Sequence, residues 1–188
     1  VRRQRQMCIR DSNTTREIFW ASGSCFIIRK SIFKLLNGFD EDFFCHMEEI
    51  DLCWRLKNLD SSYKIITIGK ANVYHVGGGT MQYGGNRKNY LNFRNSLVML
   101  IKNLPKKYFI FSLFLRLIFD LFILIFSVLL FRFGFSYSIL SAYHYNVLNF
   151  RKSLSKRKKG LGSYKYFICF SILINYYFFG KKTFSSIK

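Results

Sequence analysis

A chain of 188 residues carries 30 Lys and Arg against 10 Asp and Glu, a formal charge of +20, with half its residues apolar and 19% aromatic. There is room here for one domain plus an appendage, and the apolar content excludes a disordered polyelectrolyte. The charge points to an anionic partner: nucleic acid, an acidic membrane surface or a phosphorylated substrate. An AT-rich coding sequence, which favours Lys, Asn, Ile and Phe, would feed the same excess. Five Cys without a C-x-x-C pair argue for reduced thiols in a cytosolic setting and against a disulfide framework or a zinc site.

In chain order, residues 1–12 come first. Their QMCIRDS resembles the translation of a transposase adapter used in sequencing libraries, so this stretch is set aside from the fold. On that reading the natural chain is interrupted near Asn13, and the remainder is expected to be a fragment. In WASGSCFIIRKSIFKLLNGFDEDFF a Gly-containing turn precedes an expected strand over 25–28 and a short helix, with Ser31 as N-cap and Gly38 as stop. YKIITIG and ANVYHV each predict a further short strand, and strands alternating with short helices predict an α/β sheet. NRKNYLNFRNSLVMLIKNL predicts a helix over 86–104 that ends before Pro105. From 105 to 188 apolar aromatic runs alternate with Lys/Arg clusters, and Asp120 is the one acid.

Six of the ten acids crowd into one window: Asp40, Glu41, Asp42, Glu48, Glu49 and Asp51. Read as a helix from Glu48 onward, the window puts Leu52, Leu56 and Leu59 on one face, with Glu49 projecting into that stripe. Glu48, Asp51 and Arg55 lie beside it, Asp51 and Arg55 at ion-pair spacing. Acids in a first turn complement the helix dipole without further function. A carboxylate in a half-buried cleft among other acids would instead have the raised pKa of a general base. Further on, His75 ends an apolar strand before three glycines. Such a His is either structural or a ligand, and the glycines form either a flexible turn or a close approach to a ligand.

Together and in order, WASGSCFIIRKSIFKLLNGFDEDFFCHMEEIDLCWRLKNLDSSYKIITIGKANVYHVGGGT resembles the C-terminal (acceptor) half of the GT-A nucleotide-diphospho-sugar transferase domain of family 2 glycosyltransferases. The nearest flavour is the bacterial rhamnosyltransferase-like group of surface-polysaccharide enzymes, and the resemblance covers about residues 19–103. It implies a domain over 13–104 followed by a membrane-associated helical tail over 105–188. Glu48 and Glu49 fall on the family's Glu-Asp motif, whose second acid deprotonates the acceptor hydroxyl. Here that position is Glu49, one methylene longer, and the choice between Glu48 and Glu49 stays open. Asp51 and Arg55 match the rest of that helix motif, as support for base and acceptor. Trp20, Ser22 and Gly23 fall on the turn lining the acceptor and donor-sugar pocket. His75 falls on a strand-end His that helps hold a divalent metal (Mg or Mn) in many relatives.

The implied reaction is inverting transfer of a sugar from a nucleotide-sugar donor to a glycan acceptor, often lipid-linked. It needs charge neutralised on the leaving phosphates and a base aimed at the incoming hydroxyl. The family's Asp-x-Asp metal motif is expected upstream of Asn13; FDEDFF has those letters, but in the loop before the acidic helix. The fragment alone is therefore expected to be inactive.

In the tail, YFIFSLFLRLIFDLFILIFSVLLF over 108–131 is long enough to span a bilayer. Arg116 and Asp120 near its middle would each cost about 2.5–3.5 kcal/mol there, offset in part by pairing at i,i+4. A spanning helix, an interfacial helix or shallow hairpin, and a helix packed on a soluble core all fit. RKSLSKRKKG suits anionic headgroups, YKYFICFSILINYYFFGKK reads as interfacial, and Lys/Arg-rich flanks belong to the cytoplasmic side, here that of a bacterial inner membrane. A nucleic-acid module is the rival the charge suggests. Its aromatics would interleave with Lys and Arg, whereas here they form continuous apolar runs, so no nucleic acid is expected as partner. A non-catalytic, basic, membrane-associated protein is the other rival.

Overall fold

The computed structural model describes residues 14–71, 73, 85–157, 175–176 and 179–180. Strand β1 (Arg16–Ile18) pairs antiparallel with β2 (Ile65–Thr67), Glu17 opposite Ile66. Six helices accompany this ribbon: α1 (Lys30–Leu35), α2 (Glu48–Leu59), α3 (Asn86–Asn103), α4 (Lys106–Leu129), α5 (Phe133–Leu148) and α6 (Phe150–Ser155). A 3-10 turn at Glu41–Phe43 precedes α2. Among the described residues the α/β expectation thus has one two-stranded sheet. The adapter-like residues 1–12, most of ANVYHV and the last apolar run lie largely outside them.

Two local expectations are corrected and a third holds. Residues 25–28 form no strand. They keep the period of two, Phe26 and Ile28 turning toward Leu36, Leu52 and Leu56 while Ile27 is 99% exposed, but no neighbour supplies a ladder among the described residues. Ser31 sits inside the first turn of α1; the N-cap is Arg29, whose side chain makes no cap bond. Gly38 does stop the helix: at φ +64 its N–H donates to Phe33 O, and a Cβ there would meet the Phe33 ring at 3.3 Å.

The apolar stripe of α2 ends at Leu56, because Leu59 in the last turn is 48% exposed. The helix is buried on a second side as well. Trp54 packs with Phe43, Val98, Met99 and Leu104, and Asp51, expected beside the stripe, is wholly buried. Lys57 is buried too, donating to Glu17 Oε1 at 2.8 Å and Tyr63 O at 2.6 Å, which ties α2 to both strand segments.

Helix α3 is central. It packs on α2, while α5 lies parallel to it, Ser138 Oγ donating to Asn86 O at 2.9 Å and Asn146 Nδ2 to Arg94 O at 3.2 Å. Helix α4 runs antiparallel to α5, joined by the Ser127–Ser136 hydroxyl pair at 2.7 Å and Tyr143 Oη donating to Asp120 Oδ2 at 2.8 Å. Helix α6 folds back so that Arg157 donates to Ile101 O at 2.6 Å and to Leu104 O, satisfying carbonyls left open at the end of α3.

Candidate functional site

The chain between the 3-10 turn and α2 takes an unusual path. Phe44, His46 and Met47 all have positive φ (62°, 69° and 72°), a costly conformation for bulky side chains, and Met47 is the N-cap of α2. Two neighbours on α3 hold that path. Arg94 Nη2 donates to Asp42 O at 2.8 Å and Phe43 O at 2.9 Å. Asn95 Nδ2 lies 2.9 Å from Phe43 O, 2.7 Å from Cys45 O and 2.8 Å from His46 O. The next two residues are Glu48 and Glu49.

Both glutamates are half-buried, and Glu49 points at the turn that carries Trp20, Ser22 and Gly23. The Gly23 N–H donates to Glu49 Oε1 at 3.4 Å, and a Cβ on Gly23 would sit 3.4 Å from the Glu49 carboxyl carbon. One turn along α2, the Ala21 backbone hydrogen-bonds the Cys53 thiol, so the turn lies along the 49/53 edge. Ser22 Oγ is 2.6 Å from Ser24 Oγ, and Trp20 is 42% exposed. Glu48 Oε2, Glu49 Oε2 and His46 Nε2 are buried atoms without a hydrogen-bond partner among the described residues. Burial, with the Glu49 charge adding to it, pushes the Glu48 carboxyl above the ordinary glutamate range. Burial and then Lys88 hold the His46 imidazole below its ordinary range, so it favours the neutral form.

The other acids of the window are neutralised. Asp51 accepts from Arg55 Nε at 2.8 Å and Asn103 Nδ2 at 2.7 Å, and Lys102 Nζ lies 2.9 Å from it. Arg55 continues to the carbonyls of Leu36 and Gly38, fixing α2 to the end of α1. Asp40 takes Lys102 and Lys156, each at 2.6 Å. Asp42 takes Lys156 at 2.6 Å and Lys152 at 2.9 Å. Burial alone would raise the Asp40 carboxyl, but bonds from Lys102 and Lys156 outweigh it and lower the pKa to about 2. Of the cations in RKSLSKRKKG, Lys152 and Lys156 pair with Asp42 and Asp40, and Arg157 with carbonyls at the end of α3.

The structure thus brings Glu49 to Gly23, with Glu48 beside it on α2 and Ser22 next in the turn, and sets Asp51 and Arg55 into a buried brace. His75 lies outside the described residues. Among those residues no group of three or more His, Cys, Asp and Glu side chains is placed to hold a metal ion. Sequence reasoning missed Arg94 and Asn95. Their signal was present: with Leu91 and Val98 they occupy one face at i, i+3, i+4 and i+7, a polar pair in an apolar stripe.

No family model matches the chain, and no solved structure matches it. Local similarity to curated proteins is found. Over 60 residues, 32% of this chain and 19% of the relative, it is 38% identical to the N-acetylglucosaminyl-diphospho-decaprenol L-rhamnosyltransferase of two strains of Mycobacterium tuberculosis. Over 37 residues, 20% of this chain and 14% of the relative, it is 49% identical to rhamnosyltransferase WbbL of Escherichia coli strain K12. The chain therefore spans less than a fifth of the length of these relatives. Similarity of this kind points to a glycosyltransferase.

Proposed function

We propose that the chain is the acceptor-side part of an inverting, GT-A-type family 2 glycosyltransferase of surface-polysaccharide synthesis. The observation that carries this reading is the pair of half-buried carboxylates at the start of α2, each with one buried oxygen unpartnered among the described residues, Glu49 lying against a glycine turn. Carboxylates built only to complement a helix dipole would face water. In the proposed reaction one of them takes the proton of the acceptor hydroxyl as that oxygen attacks the sugar carbon opposite the departing nucleoside diphosphate. Glu49 is the base by motif and by its contact with the turn. Glu48, whose burial raises its carboxyl above the ordinary glutamate range, is the other carboxylate that could take that proton. Trp20 and Ser22 would line the sugar pocket, while Asp51 and Arg55 serve the site by fixing α2. A divalent ion (Mg or Mn) belongs to the proposal through His75 and other residues beyond those described, and would stabilise the leaving phosphates.

The same proposal places the protein at the cytoplasmic face of a bacterial inner membrane. Helix α4, 24 residues long and holding an 18-residue stretch of mean hydropathy 2.5, turns Ile110, Phe114, Leu117, Leu121 and Phe126 outward. Its Arg116–Asp120 pair (2.7 Å) turns inward to Tyr143 and the Phe93 ring. At ~1.5 Å per residue the helix is about 36 Å long, enough for a hydrocarbon core of about 30 Å. Lys106, Lys107 and Arg132 flank it, as interface anchors do. An acceptor on a lipid diphosphate, of the kind the mycobacterial relative is named for, would meet the site at such a surface.

The test is transfer by the complete protein with a nucleotide-activated L-rhamnose and an N-acetylglucosaminyl-diphospho-lipid. Glu49→Gln is expected to remove turnover and leave the fold intact. A folded Glu49→Gln protein with undiminished transfer would sink the assignment of the base.

A further inference from the structure

We propose that Asn95 and Arg94 are positioning residues, holding the 42–47 loop on its positive-φ path and thereby setting where the Glu48 and Glu49 carboxylates stand against the 20–24 turn. What the carboxylates are for rests on the transferase reading; that they are held from α3 does not.

The path of the loop is not one its own residues favour. Phe44, His46 and Met47 are neither Gly nor Asn, and no side-chain bond caps α2 at Met47. Such a conformation persists only where its surroundings over-determine it. Here one carboxamide meets three successive-turn carbonyls and one guanidinium meets two, and the two side chains are joined to each other, Arg94 Nε donating to Asn95 Oδ1 at 2.7 Å. Asn95 is 1% exposed. A buried Asn could instead have satisfied its own helix; this one reaches outward to the loop.

Arg94 is itself fixed from the far side. Its guanidinium lies 5.0 Å from the Tyr145 ring centre and 5.6 Å from that of Tyr90, and its carbonyl accepts from Asn146. The hairpin of α4 and α5 is therefore linked through Arg94 and Asn95 to the loop that carries the two glutamates. Among the described residues the titratable groups that act on Glu48 are Glu49 on the same helix and Cys45 in the loop, while Arg87, Lys88 and Arg94 of α3 act on Cys45 and Lys88 also on His46. None of these is removed by Asn95→Ala, so a change in Glu48 titration in that variant reports position.

The experiment is a 13C titration of the Glu48 and Glu49 side-chain carboxyls in the full chain held in detergent micelles. Freed from its place, the Glu48 carboxyl meets water and its midpoint is expected to fall by about half a pH unit or more in Asn95→Ala. Arg94→Lys, which keeps the charge and loses the fork, is expected to give a smaller fall. Leu97→Ala, a buried change on the same helix away from the loop, is expected to lower stability and leave the midpoint alone. An unmoved midpoint in folded Asn95→Ala, or an equal fall in Leu97→Ala, would overturn the proposal. Should Asn95→Ala fail to fold, Arg94→Lys decides by the same criterion. Loss of positioning in a complete protein that shows no sugar transfer would defeat only the functional reading; intact transfer with an unmoved midpoint would defeat only this one.

Discussion

Asp51 and Glu49 are two residues apart on one helix, yet their surroundings differ in kind. Asp51 is fully buried and meets Arg55, Lys102 and Asn103, so each of its oxygens has a partner. Glu49 is half-buried, with one long bond from the Gly23 amide and a second oxygen that has none among the described residues. Asp40 and Asp42 belong with Asp51, answered by lysines of α3 and of the α6 end of the chain. A carboxylate with matched cations is a brace, because neutralisation leaves it little reason to take a proton or meet a ligand. A carboxylate that none of the described cations meets is available for chemistry.

The contrast can be broken most forcefully at the brace. Asp51→Asn leaves Arg55 buried without its counter-charge, and removing one partner of a buried pair costs about 3–5 kcal/mol. A denaturant midpoint unchanged by this substitution would show that the network holds nothing.

Acid tests the second brace. The folded pKa of Asp40 lies below its unfolded value, so its contribution is present above about pH 4 and is lost as the pH falls through about 2. The shift corresponds to about 2 kcal/mol at most. Lys156 is shifted upward by its bonds to Asp40 and Asp42, against burial, so its share is present below the ordinary lysine pKa and fades as the pH rises through the raised one. Stability followed from pH 5 to 2.5 should fall more steeply in the parent than in Asp40→Asn; parallel curves would remove Asp40 from the brace.

How much of this was legible depends on where each partner lies. Helices α2, α3 and α4 are written in local apolar spacing, the ends of α1 and α3 in the stops at Gly38 and Pro105, and the crowding of acids drew attention to the 40–51 window. The division of that window was not legible, since the lysines that answer Asp40 lie 62 and 116 residues further along the chain. The strand at 25–28 has the correct alternation, but a ladder needs a neighbour that alternation does not supply. The path through Phe44, His46 and Met47 carries no turn signal at all, because a side chain from α3, not a local glycine, holds it.

Smaller effects sharpen the comparison. Lys152, 53% exposed, pairs with Asp42 near the surface, and Lys152→Ala should cost no more than about 1 kcal/mol, less at high salt. A loss as large as that of Asp51→Asn would mean that α6 anchors the fold far more strongly than its exposure implies. Least of all should Glu49→Gln change stability, within about 0.5 kcal/mol, because it removes a charge that no cation holds among the described residues.

That last variant supplies the most direct test. Turnover and denaturant midpoint should be measured side by side for Glu49→Gln in the complete protein, with Glu48→Gln in parallel. The expected result is a turnover lower by about 10²–10⁴-fold, the usual reach of a general base, at an unchanged midpoint. Full turnover, or a loss of turnover that merely tracks a loss of fold, would contradict the claim that the unpartnered carboxylate is the working one.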